Sequence, residues 1–93
     1  MVDITVTVDK AQIDKLCAIY EYDVYEKVAS AESGPYILEL SIFSEEDEDP
    51  QFALEVFKRG VGMIWDSYEQ IEAGLFERTL GDSELLRLTI TIK

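Results

Sequence analysis

The sequence predicts an α+β fold, a two-layer α/β sandwich in which a mostly antiparallel four-stranded sheet carries two helices packed on one face. Two observations lead to this expectation. Both ends of the 93-residue chain alternate apolar and polar residues, which is typical of half-buried strands. Between them, apolar residues recur at helical spacing in two segments. The predicted order is β-α-β-α-β-β, in a single acidic domain over residues 1–93.

The two terminal strands have matching patterns. Residues 2–9 and residues 86–93 both alternate β-branched or leucine side chains with polar ones, and each polar face carries two threonines. The flanking charges are acidic in the first segment and basic in the last. We expect the two strands to be neighbours, because opposite charges pair favourably across strands. These charges fit a parallel or an antiparallel pairing, so the direction stays open.

The first helix is predicted to begin at Asp9, a suitable N-cap with Gln12 in the capping-box position. Its apolar stripe would comprise Ile13, Leu16, Cys17, Tyr20, Val24, Val28 and Ala31. Residues 33–35, Ser-Gly-Pro, would end it. Residues 36–43 alternate again and predict a central strand. One face of that strand would carry Tyr36, Leu38, Leu40 and Ile42.

A second helix is predicted to follow Asp49, because a capping carboxylate before Pro50 is a favourable helix start. Its core stripe would comprise Ala53, Phe57, Val61, Ile64, Tyr68 and Ile71. Gly60 and Gly62 interrupt this stripe, either as a break or as a close approach to the sheet, and one bent helix is the favoured interpretation. Residues 75–80 then predict a third strand, joined to the last one by a turn at residues 81–83.

The charge balance is the strongest constraint on function. The chain has 20 acidic and 8 basic residues, a net charge of -12, and no basic residue between Lys27 and Lys58. Five consecutive acids, residues 45–49, lie in that stretch. Such a chain repels phosphate backbones and attracts basic protein surfaces. We therefore exclude direct nucleic-acid binding and expect a protein partner with a basic surface.

Composition also argues against several other classes of function. The chain has no histidine, which removes the usual general base and the commonest zinc ligand, and the acidic run lacks the spacing of a calcium loop. We expect no enzymatic activity, catalytic residue, cofactor or metal. Cys17 lies on the apolar stripe and suits a core position. No segment has the ~20 apolar residues that span a bilayer, so we expect a cytoplasmic protein without a membrane partner.

Candidate partner-binding residues fall into three groups. The acidic run supplies Glu45, Glu46, Asp47, Glu48 and Asp49, and the adjacent Glu55 would extend it. The outward side of the first helix would present Tyr22, Tyr25 and Glu26, and the second helix would present Trp65 beside its core stripe. Tyrosine and tryptophan are enriched at the centres of interfaces. The alternatives are a solvated acidic loop, tyrosines lying flat on the surface, and Trp65 in the periphery of the core.

The leading hypothesis is a non-enzymatic acidic protein that inhibits a partner by occupying its basic surface, such as the groove of a nucleic-acid-binding enzyme. In size and charge the chain is similar in kind to small acidic inhibitors of phages and mobile elements, a group that includes DNA mimics, anti-CRISPR proteins, nuclease inhibitors and immunity proteins. This is a likeness of type and not of motif. Two alternatives stay open: a structural or assembly subunit that forms a homo-oligomer, and a small cation-binding or ligand-binding regulatory domain.

Overall fold

Seven strands in two sheets and one short helix make up the residues that the computed structural model describes, which are 1–18, 23–45, 48–80 and 84–93. The elements are β1 (Val2–Val8), α1 (Lys10–Cys17), β2 (Val24–Ser33), β3 (Tyr36–Ser44), β4 (Gln51–Lys58), β5 (Gly62–Glu69), β6 (Gly74–Leu80) and β7 (Glu84–Ile92). The strand orders are β1-β7-β6 and β2-β3-β4-β5. The protein is mostly β, so the prediction of an α+β sandwich with two helices on one four-stranded sheet is wrong.

The predicted pairing of the two terminal strands is confirmed. β1 and β7 are parallel neighbours in register from Val2 opposite Leu86 to Val8 opposite Ile92. Their apolar side chains point into the core, and the threonines face away from it. The strand predicted at residues 75–80 is confirmed as β6, which pairs antiparallel with β7. The turn predicted at residues 81–83 lies outside the described residues.

The first helix is much shorter than predicted. Asp9 does cap it, accepting a hydrogen bond from the backbone N–H of Ala11 at 2.9 Å, but the helix ends at Cys17. The second half of the predicted apolar stripe forms β2, which pairs antiparallel with β3. An irregularity in register between Lys27 and Ala29 shifts the alternation of β2, which explains why its sequence does not show a clean period of two.

The Gly34-Pro35 pair connects two strands rather than ending a helix. Ser33 and Tyr36 are partners in the β2–β3 ladder, so Gly34 and Pro35 form the whole hairpin loop. Gly34 has φ +57, the left-handed conformation that a type II′ turn requires at its first central position. The central strand predicted at residues 36–43 is confirmed as β3, which lies between β2 and β4.

The predicted second helix is two antiparallel strands, β4 and β5. Asp49 and Pro50 precede a strand, and Gly60 and Gly62, both with positive φ, lie in and next to the turn between the strands. In β4, Phe52, Leu54 and Val56 are fully or almost fully buried on alternate positions. The helical spacing of the apolar residues was therefore misleading, because pairing with β3 decides the conformation of this segment.

The inner faces of both sheets pack into one hydrophobic core, and the sheets adjoin at β1 and β2. Helix α1 adds Ile13 and Leu16 to this core beside β2 and β3. The outward side of the four-stranded sheet remains in solvent, where Met63 and Tyr68 are more than half exposed. The fold therefore positions one broad sheet surface for contact with something outside the domain.

Candidate interaction surface

Alternate side chains of β2, β3, β4 and β5 point away from the core and form one continuous surface, which we call the outer face. Its principal residues are Tyr25, Lys27, Ile37, Glu39, Phe43, Glu55, Phe57, Met63, Asp66 and Tyr68. At its centre, the small side chains of Ser41 and Ala53 are covered by these neighbours and are each 3% exposed. The larger side chains around them remain accessible and define three bands across the sheet.

The first band is an aromatic trio of Tyr25, Phe43 and Tyr68. The rings of Tyr25 and Phe43 meet edge to face with centroids 6.0 Å apart, and those of Phe43 and Tyr68 are 5.0 Å apart. The two tyrosines are 56% and 54% exposed, so the trio is packed within itself yet still presents a large apolar area to solvent. Rigid, amphipathic aromatic groups of this kind are favourable contacts at protein interfaces.

The second band is a carboxylate row formed by Glu39, Glu55 and Asp66. Glu39 is directly opposite Glu55 in the β3–β4 ladder, and Glu55 is directly opposite Asp66 in the β4–β5 ladder. Neighbouring strands are about 4.8 Å apart, and like charges directly opposite one another destabilise a sheet. The ammonium group of Lys27 lies 3.5 Å from Glu39 at one end of the row. Repulsion between these carboxylates therefore opposes folding, and the contact of Lys27 with Glu39 offsets part of it.

The third band is aliphatic and aromatic, and it comprises Ile37, Phe57 and Met63. Ile37 is the ladder partner of Phe57, and Phe57 is the partner of Met63. Met63 is 53% exposed, and Val61 in the adjoining turn is 68% exposed. The carboxylate row is therefore bordered on both sides by apolar groups. Ile37 and Phe57 on one side and Tyr68 on the other lie two residues, or roughly 7 Å, along their strands from a member of the row.

A hydrogen bond joins the first two bands. The Tyr25 hydroxyl donates to Oε1 of Glu55 at 2.5 Å, reaching from β2 to β4 over β3. This hydrogen bond, with smaller contributions from burial and from the nearby negative charges, raises the pKa of Tyr25 to about 12. Tyr25 is therefore neutral and held in one orientation over the whole physiological pH range.

The link between Tyr25 and Glu55 can be tested by spectroscopic titration. We expect tyrosinate absorbance to show a last transition near pH 12, which belongs to Tyr25. In Glu55→Ala the last transition should move towards pH 10, the ordinary value for tyrosine. Because the folded-state pKa is raised, the stabilising contribution of Tyr25 is complete below about pH 10 and is lost as pH rises to about 12.

Glu72→Ala is the matched control, since Glu72 is an exposed glutamate in the connection between β5 and β6. This variant should titrate like the unchanged protein. An identical last transition in the unchanged protein and in Glu55→Ala would contradict the assignment of the raised pKa to this hydrogen bond.

The structure brings together some of the predicted site residues. Tyr25 and Glu55 are in contact on the outer face, although the predicted helices that carried them do not exist. Glu45, Glu48 and Asp49 are exposed between β3 and β4, as expected for an acidic loop, and the backbone N–H of Glu48 donates to the carbonyl of Glu45 at 3.1 Å. Because this loop begins just after Phe43 and Ser44, it borders the aromatic trio.

Other predicted site residues are not part of this arrangement. Glu26 is exposed but points to the opposite side of β2 from Tyr25. Trp65 lies opposite Val56 on the inner face of β5, where it is partly buried and packs against the core. Tyr22, Glu46 and Asp47 lie outside the described residues.

Glu39, Asp66 and Tyr68 belong to the surface although the sequence does not predict them there. The sequence predicts Tyr68 on the core stripe of a helix, but this segment is a strand. Glu39 did carry a usable signal, because Ile37, Glu39, Ser41 and Phe43 alternate with the buried residues of β3. Nothing local in the sequence indicates that Asp66 is opposite Glu55, since that relation arises from the register of β4 and β5.

Other chemistry is sparse in the described part of the chain. No group of three or more potential metal-ligating side chains occurs among the described residues, and none of their helices is long and apolar enough to cross a membrane. Burial, followed by the charge of Asp14, raises the pKa of the Cys17 thiol, which makes it a weak nucleophile. Comparisons with protein-family models, with curated proteins and with solved structures find no match.

Proposed function

We propose that the protein is a non-enzymatic binding protein that inhibits a partner protein by covering a basic surface with its outer face. The observation that carries this proposal is the carboxylate row of Glu39, Glu55 and Asp66 between two apolar bands, in which Asp66 is exposed and the two glutamates are half-buried. Repulsion among three neighbouring carboxylates opposes folding, and a partner with positive charge would relieve it. A basic surface that carries nucleic acid in its active form is a suitable target, because carboxylates can take the place of phosphates there.

The charges and the apolar bands have different roles in this proposal. A net charge of -12 attracts a basic partner over a distance and speeds association at low salt. Desolvated aromatic groups supply most of the affinity at protein interfaces. The aromatic trio and the band around Met63 offer such groups on either side of the row. The exposed acids Glu45, Glu48 and Asp49 extend the negative surface beyond the trio.

The same arrangement argues against the outer face as a site of homodimer formation. A two-fold interface places the same patch of each copy against the other. With the outer face buried in this way, each carboxylate row would meet other carboxylates without enough positive charge to balance them. The face therefore suits a partner of opposite charge better than a second copy of this chain.

Affinity capture from a lysate of the source cells tests the proposal. Immobilised protein should retain a basic protein at low salt, and a gradient of salt or added DNA should release it. The variant Glu39→Gln/Glu55→Gln/Asp66→Asn, which removes the row, should fail to retain that protein. The retained protein should also lose its own activity on nucleic acid when the unchanged chain is added.

A second triple variant controls for net charge. Asp3→Asn/Glu72→Gln/Glu77→Gln removes the same number of acids at exposed positions away from the outer face. It should retain the partner as the unchanged protein does. Equal retention by the unchanged protein and the row variant would refute the proposed role of the outer face.

A further inference from the structure

We propose that the outer face takes up an arginine side chain of its protein partner, in preference to lysine, at Tyr25 and Glu55. This inference rests on the proposed function and specifies the chemistry of the partner. The occupant is a protein segment that presents a guanidinium group, because the carboxylate row supplies negative charge and the ring beside it supplies a stacking surface. The relevant fact is that a carboxylate and an exposed aromatic ring are fixed to each other at this position.

Glu55 has hydrogen-bonding capacity left for a ligand. A carboxylate offers about four lone-pair sites, and the Tyr25 hydroxyl uses one of them. Glu55 stands between two other carboxylates, and Asp66 on its far side is exposed and has no basic partner among the described residues. A planar group with several parallel N–H donors can bridge neighbouring carboxylates, whereas an ammonium group acts as a point charge.

Tyr25 adds a surface on which a guanidinium group can stack. The residue is 56% exposed. Its hydroxyl is held by the hydrogen bond to Glu55, and its ring packs against Phe43. A ring that is already fixed loses little conformational freedom when a ligand stacks on it. Guanidinium groups stack on tyrosine while keeping their hydrogen bonds to a carboxylate, which lysine cannot do to the same extent.

The position of Lys27 is consistent with this distinction. Its ammonium group lies 3.5 Å from Glu39, at the end of the row formed by β3, and so balances charge there. Glu55 and Asp66 lie on the next two strands across the sheet, β4 and β5, and β5 is the edge strand. The chain thus supplies a lysine at one end of the row and leaves the part beside the tyrosine rings for an external cation.

The experiment compares two synthetic peptides that are identical except that all basic positions are arginine in one and lysine in the other. Binding to the folded full-length chain is measured by isothermal titration calorimetry at low salt. We expect the arginine peptide to bind about tenfold more tightly, the size of one favourable stacked cation contact. Tyr25→Leu should bring the ratio of the two affinities close to one, and Tyr25→Phe, which keeps the ring, should retain most of it.

Leu75→Ala is the control variant, because Leu75 is an exposed apolar residue of β6 in the other sheet. It should leave the ratio unchanged. Equal binding of both peptides, abolished in Glu39→Gln/Glu55→Gln/Asp66→Asn, would overturn the arginine preference while supporting the proposed function. Failure of both peptides to bind would overturn the arginine site, and the capture experiment would then decide separately on the proposed function.

Discussion

Replacing Phe52 with alanine is expected to lower the free energy of unfolding by about 3–5 kcal/mol, the usual effect of deleting a buried phenyl ring. Phe52 is among the largest side chains that are fully buried, and it lies on the inner face of β4 within the core shared by both sheets. A domain of this size is stable by about 5–15 kcal/mol, so much of that stability depends on one ring. Urea denaturation followed by circular dichroism measures the change.

Phe57→Ala is the matched comparison, because the same side chain is deleted from the outer face of the same strand. Phe57 is only partly buried, so its removal should lower the free energy of unfolding by about 1 kcal/mol. A helix over this segment would place Phe57 on its core stripe and Phe52 off it, so the order of the two effects would be reversed. Equal or reversed effects would therefore contradict the strand assignment of β4.

Removing the carboxylate row is expected to stabilise the isolated protein while it abolishes binding. Relief of two like-charge pairs in Glu39→Gln/Glu55→Gln/Asp66→Asn, partly offset by loss of the Lys27–Glu39 ion pair and of the charged acceptor for Tyr25, should raise the free energy of unfolding by about 0.5–1 kcal/mol. The same variant should bind the arginine peptide at least about 30-fold more weakly, because it removes one carboxylate from each of β3, β4 and β5. Urea denaturation and calorimetry at low salt measure the two quantities.

The control variant Asp3→Asn/Glu72→Gln/Glu77→Gln separates the row from the net charge. Asp3 is opposite Arg87 in the ladder, and Glu77 lies 3.6 Å from the same guanidinium group, so their removal deletes favourable contacts. This variant should be no more stable than the unchanged protein, and it should bind the peptide almost as well. Stabilisation or loss of binding equal to that of the row variant would show that overall charge, and not the row, is responsible.

Three of the strands that the sequence predicted have strict alternation. β1, β3 and β7 each place apolar residues on alternate positions, and each is a regular strand. Opposite charges also indicated that the terminal strands pair, and Asp3 does lie opposite Arg87. The sequence does not predict whether β1 and β7 are parallel or antiparallel. The charges fit both pairings, and the apolar faces of the two strands are buried in either one.

The wrong predictions share a physical cause. β2 and the β4–β5 ladder both contain an irregularity in register, and each extra residue shifts the alternation so that it imitates helical spacing. The sequence predicts Gly34 at the end of one helix and Gly60 at the bend of another, whereas their positive φ angles belong to turns between strands. Long-range pairing with β3 outweighed the local preferences of these segments.

The candidate surface was only partly visible in the sequence. An acidic loop can be found by inspection, and Glu45, Glu48 and Asp49 are exposed as expected. The carboxylate row cannot be found in this way, because its members are 16 and 11 positions apart and meet only through the register of two ladders. The sequence indicates both Tyr25 and Glu55 as site residues, but their hydrogen bond depends on a sheet that it does not predict.

The parallel pairing of β1 and β7 also determines how the protein responds to mechanical force. Because both strands run in the same direction, Val2 and Ile92 lie at opposite ends of their shared ladder. A pulling force applied at these two points acts along the strands and loads all of the inter-strand hydrogen bonds together, in shear. An antiparallel pairing would allow the bonds to open one at a time. The sheet formed by β1, β7 and β6 is therefore built to resist extension from its two ends.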